Sequence, residues 1–158
     1  MNVKTKKTAS LNDERLSQKM ERLEECLLAP MAARTQLWAR RVGRALEEMR
    51  EAWNRHQADV DSKDGPFSAE ELKGTMLPAL DRRAENLQRE HEQLRLLLEA
   101  TRTRLDEVVH SSTRSPKVLD LLRIRRRGRQ LLQEIRKHKE KETILFMDNV
   151  TLDIGVGD

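Results

Sequence analysis

Apolar residues recur along this chain at intervals of three and four, the period of an α-helix with one buried face. The first stripe is Leu16, Met20, Leu23 and Leu27, starting near Asn12 and stopped by Pro30, whose ring clashes with the preceding turn. Ser10 or Asn12 suits its N-cap, and Asp13 and Glu14 suit the positive end of the helix dipole. A second helix is predicted from about Met31 to Val60, with Trp38, Val42, Ala45, Met49, Trp53 and His56 on its seam. Asp61-Ser62-Lys63-Asp64-Gly65-Pro66 then reads as a turn, and Ser68 with Glu71 forms a capping box for a short piece through Met76. The third helix spans roughly Pro78 to Val109, its seam running Leu80, Ala84, Leu87, His91, Leu94, Leu98, Leu105. After a loop from His110 to Pro116, a fourth continues to about Met147 with Leu131, Ile135, His138, Glu142 and Leu145 on one face. Residues 1–10 carry no pattern and are expected to be disordered; 149–158 form a tail too short to be a unit.

The stripes do not persist along one long helix, so they predict an intramolecular bundle rather than an extended coiled coil. The expected fold is all-α: an up-down-up-down four-helix bundle over residues 11–148, with a short extra N-terminal helix. Composition agrees, because 37% of residues are charged and the few aromatics include no Tyr, which leaves no material for a β-sandwich or doubly wound sheet. The net charge of +4 hides 31 bases against 27 acids, so most charges can pair along helix faces. A single cysteine, Cys26, excludes an intramolecular disulfide and fits a reducing compartment. Lys4, Lys6 and Lys7 are not followed by an apolar segment, and no apolar run approaches the roughly 18 residues of a membrane span. A cytoplasmic protein is the expectation, monomeric or homodimeric, away from membranes.

Three of the four histidines, His56, His91 and His138, lie on the apolar seams of three different helices. A polar group in such a seam costs roughly 1–3 kcal/mol unless something meets it, and a charge costs more. Each histidine alone reads as a hydrogen-bonded core residue. The three together favour a metal site, because inward-facing imidazoles and carboxylates from several helices are how bundle metal sites are made. Glu142 lies one turn beyond His138; Asp59 and Asp61 follow closely after His56, and Glu90 precedes His91. No Cys–His pair, Ser nucleophile arrangement or glycine-rich phosphate loop supports an enzyme, since Gly155-Val156-Gly157 has no helix after it to receive a phosphate.

The segment from Leu87 through His91 to Leu98, followed some forty residues later by His138-Lys-Glu-Lys-Glu142-Thr-Ile-Leu-Phe146, resembles the last two helices of hemerythrin-like, HHE-type cation-binding domains. Arg55-His56-Gln-Ala-Asp59-Val-Asp61 with its Gly-Pro turn resembles the end of that family's second helix. The resemblance covers about residues 31–148 and implies an up-down bundle, the architecture for which myohemerythrin is a standard example. It implies a metal site as well, with His56, His91, His138, Glu142 and Asp61 as ligands and Fe, Zn or Mn as the ion. The family's full di-iron centre uses five histidines and two carboxylates. Residues 31–50 contain no His, and Leu87 and Arg95 stand one turn either side of His91, so this chain keeps a reduced set suited to one ion.

Arg123, Arg125, Arg126, Arg127 and Arg129 form the strongest charge run. Such a run can bind phosphate backbones or an acidic partner. On a helix these side chains spread around the circumference, only Ile124 and Gly128 mark the inner side, and no aromatic is interleaved for base stacking, so nucleic acid is disfavoured. The leading expectation is a binding or sensing module with a reduced metal site. The alternatives are a metal-free interaction scaffold, and an acidic-partner or RNA binder using the arginine run.

Overall fold

The computed structural model describes residues 3–31, 34–62, 65, 78–111 and 115–155. They form four helices and no strand: α1 (Val3–Leu28), α2 (Thr35–Val60), α3 (Pro78–His110) and α4 (Val118–Gly155). Helices adjacent in sequence pack side by side, α1 closes the ring against α4, and α2 meets α4 across the diagonal. The result is an up-down-up-down four-helix bundle. The helix expected as a short N-terminal extra is α1 itself, one of the four walls, because Leu16, Leu23 and Leu27 are fully buried in the common core. It starts at Val3, inside the segment read as disordered; once residues 12–28 are held helical by packing, extending a helix through a run free of Gly and Pro costs little. Likewise α4 runs on to Gly155, into the expected tail. The short piece expected over residues 68–76 lies outside the described residues.

The helix ends follow local chemistry. Pro30 separates α1 from α2, and the Asp61 N–H closes α2 on Gln57 O at 2.9 Å. A Cβ on Gly65 would collide with the Val60 carbonyl oxygen and lie 2.8 Å from that of Asp59, so only glycine lets the chain fold back over this end. Asp81 and Asp120 sit in the first turns of α3 and α4, where the helix dipole favours a carboxylate.

Gly128 serves packing. A Cβ there would meet Leu27 Cδ1 at 2.7 Å, so the glycine lets α1 lie close against α4 while Ile124, one turn earlier, is fully buried. No helix among the described residues is long and apolar enough to cross a membrane.

The core is divided. The larger apolar cluster includes Leu46, Met49, Trp53, Leu94, Leu98, Leu131 and Ile135, and the smaller one is Val60, Leu80, Ala84, Leu87 and Leu145. On three helices the break falls at one level: between Trp53 and Val60 on α2, between Leu87 and Leu94 on α3, and between Ile135 and Leu145 on α4. The residues in that gap are His56, His91, His138 and Glu142.

Candidate metal centre

These four side chains form a buried polar layer across the bundle, no more than 8% exposed in any case. The three Nε2 atoms converge on one carboxylate oxygen. His91 lies 2.9 Å from Glu142 Oε1, and His56 and His138 each lie 3.2 Å from it. An ionised carboxylate only accepts hydrogen bonds, so all three imidazoles donate to it. One ligand-type atom from each of the four residues falls within 4.8 Å of every other, which makes them a donor set of a kind that can hold a metal ion.

Local helix geometry produces this convergence. His138 and Glu142 are four apart on α4 and so share a face. His56 and His91 arrive from α2 and α3, which pack against each other. On the outer side, His91 Nδ1 donates to Asp61 Oδ1 at 2.9 Å and His138 Nδ1 lies 3.0 Å from Glu90 Oε2. Lys141 Nζ in turn holds Glu90 Oε1 at 2.6 Å. A carboxylate on the far nitrogen fixes ring orientation and raises the basicity of the inner nitrogen, the arrangement usual behind metal-binding histidines.

Trp53 forms the inner wall. It is fully buried, and its ring centroid lies 5.3 Å from that of His56 and 5.6 Å from those of His91 and His138. Its indole N–H donates to the His91 carbonyl at 3.3 Å, tying α2 to α3 beside the layer.

Charge in the layer is set by these contacts. For His91, burial alone would lower the pKa, but hydrogen bonds to Asp61 and Glu142 outweigh it and raise the imidazole to about 9. For Glu142, burial opposes ionisation, yet hydrogen bonds from His138, His56 and His91 hold the carboxyl well below its usual range. Burial also acts against ionised Glu90, and Lys141 and His138 overcome it.

Comparison with protein-family models, curated proteins and solved structures finds no match to this chain. Function must therefore be read from the layer's own chemistry.

Of the residues singled out from sequence, His56, His91, His138 and Glu142 are brought together. Asp61 stands outside the four-atom cluster, on the far nitrogen of His91. Asp59 lies away from the layer and accepts a hydrogen bond from the Asn12 side chain, pinning α1 to α2. Glu90 serves His138 rather than its neighbour His91. Trp53 was expected only as core and not as a wall of the site; its position one turn before His56 on the same seam was the available signal. His110 Nδ1 donates to the Asp106 carbonyl at 2.7 Å.

The arginines of the run differ in their surroundings. Arg125 is half-buried, bonded to the Ala29 carbonyl at 2.6 Å with its guanidinium 5.6 Å from the Trp38 ring centroid. Arg123 pairs with Asp120 at 3.1 Å, while Arg126, Arg127 and Arg129 are exposed.

Proposed function

We propose that this protein is a hemerythrin-like bundle that holds a single first-row divalent ion, iron, zinc or manganese, through His56, His91, His138 and Glu142. The observation that carries the reading is the convergence of three Nε2 atoms on Glu142 Oε1 while carboxylates grip the outer nitrogens of His91 and His138. A core histidine kept only for structure needs no such arrangement, and a buried ionic layer is often less stable than an apolar one.

The donor set fits an ion. A tetrahedral centre with bonds of about 2.1 Å separates its donors by about 3.4 Å; Glu142 Oε1 lies 2.9–3.2 Å from the imidazoles, and all four donor atoms lie within 4.8 Å of one another. Three imidazoles and one carboxylate, with no thiolate, suit Fe(II), Zn(II) or Mn(II). Bound there, such an ion supplies a Lewis-acidic or, for iron, a redox centre. Around it, Asp61 and Glu90 hold two of the rings, Glu142 offsets one positive charge, and the apolar clusters on either side keep water out. Trp53 packs against all three imidazoles and fills the inner space, which favours one ion over two. The role we assign to such a site is binding or sensing.

The second reading, a metal-free scaffold, has its own observation: Glu142 and the three imidazoles already satisfy one another. Metal analysis of untagged protein separates the two. One equivalent of Fe, Zn or Mn per chain and a rise in unfolding temperature on adding the ion are expected, both lost in His91→Ala and His138→Ala. No bound metal and no thermal shift with any of the three ions would sink the metal reading.

A further inference from the structure

The opposite end of the bundle carries a second built surface, unrelated to the polar layer. Leu37 and His56 are nineteen residues apart on α2, about 28 Å along the helix. Around Leu37 the charges are one-sided. Residues 30–46 hold four arginines and no acid, and residues 115–133 hold Lys117 and five arginines against Asp120 alone. Asp120 is already paired with Arg123. Arg34, Arg41, Arg44, Arg126 and Arg129 are exposed and make no ion pair among the described residues. Elsewhere most long cations among the described residues are matched, as in Arg136–Glu24 at 2.5 Å and Lys139–Asp13 at 2.7 Å.

The two helices repeat one pattern here. On α2 it is Leu37, Arg41 and Arg44; on α4 it is Leu122, Arg126 and Arg129. In each, a leucine is followed by arginines four and seven residues on, along one helix face. Leu37 is 41% exposed and Leu122 is 43% exposed, so each offers apolar surface amid cations.

Each leucine lies in a cleft. One, of about 320 Å³, is lined by Ala29, Pro30, Arg34, Leu37, Trp38 and Arg41. The other, of about 530 Å³, runs along α4 and is lined by Leu122, Arg125, Arg126, Arg129, Gln130, Gln133 and Glu134, the last already paired with Lys137. Arg125 joins them, because it lines the second cleft and lies over Trp38 of the first. The Trp38 indole N–H finds no acceptor among the described residues.

We propose that this end docks an acidic amphipathic segment of a partner protein. Carboxylates of the segment pair with Arg41, Arg44, Arg126 and Arg129, and its apolar side chains cover Leu37 and Leu122. Charge complementarity selects an anion and rules out a second copy meeting this face with the same face. The leucines select a partner with apolar side chains, which a phosphate backbone lacks.

The test is calorimetric titration of the full chain with a synthetic 18-residue peptide of Glu and Leu at helical spacing. Saturable binding is expected. Four exposed ion pairs worth roughly twofold each predict at least tenfold weakening in the R41Q/R44Q/R126Q/R129Q variant. Leu37→Ser with Leu122→Ser weakens it at least threefold, with circular dichroism unchanged in both variants. The proposal is overturned by no saturable binding, by an affinity indifferent to the leucine changes, or by tighter binding of a 20-mer oligouridylate. Capture by phosphatidylserine vesicles without peptide binding overturns it too.

Discussion

Replacing Glu142 by Gln removes one charge from the centre of the polar layer and almost no volume. In metal-free protein the carboxylate oxygen accepts from His56, His91 and His138 at 3.2, 2.9 and 3.2 Å, all inside the core. Charge-assisted hydrogen bonds contribute about 1.5–3 kcal/mol each, but they share one acceptor atom and are not additive. Removing one partner of a buried ionic group costs about 3–5 kcal/mol. For 158 residues the unfolding entropy is about 0.33 kcal/mol/K, so Glu142→Gln is expected to unfold about 9–15 °C below the parent. Glu140→Gln, exposed on the same helix and with no part in the layer, is the control and should shift by less than about 2 °C. The assay is thermal unfolding followed by far-UV circular dichroism at neutral pH with a chelator present. A loss under about 3 °C for Glu142→Gln would show that the carboxylate does not hold the three imidazoles in the core.

Metal-free stability should also follow pH in a defined sense. His91 is raised from 6.5 to about 9, so its contribution is complete below pH 6.5 and fades as pH rises through 9, on the order of 3 kcal/mol in all. Glu142 is lowered from 4.5, so its contribution is complete above that pH and fades below it; urea unfolding is therefore expected to be most resisted between about pH 4.5 and 6.5, and a stability that climbs from pH 6.5 to 9 would contradict the assignment. Asp61→Asn should lower metal affinity by about 10–100-fold while leaving the fold intact, measured by competition with a chromophoric chelator, because it only orients His91; an unchanged affinity would remove Asp61 from the site. Gly128→Val should lose about 1–3 kcal/mol in chemical denaturation by forcing Leu27 aside, and parity with the parent would mean α1 can slide away at no cost.

Much of the layer was legible because helical periodicity reports which face a residue shares. His138 and Glu142, four apart, had to lie together, and the seams of α2 and α3 marked His56 and His91 as inward. Periodicity does not report level along the bundle axis, so the meeting of the three imidazoles on one oxygen needed the packed structure. It also cannot say which helix a flanking group reaches. Glu90 lies about 100° around α3 from His91 and therefore crosses to His138 on α4. Asp61, just beyond α2, bends back to His91 because Gly65 permits the turn. The start of α1 escaped notice because residues 3–10 have no stripe, and their helicity is propagated from the packed turns that follow.

The chain has two tryptophans and no tyrosine, and the fold sends one to each end. Trp53 lies against all three imidazoles of the polar layer; Trp38 lies under Arg125 between the two basic clefts. Intrinsic fluorescence is thus divided into two optical channels, one for the buried layer and one for the basic end. In a Trp38→Phe variant the remaining emission comes from the layer alone, where a neighbouring imidazolium or a bound iron would quench it. The protein carries its own readout for telling events at one end from events at the other.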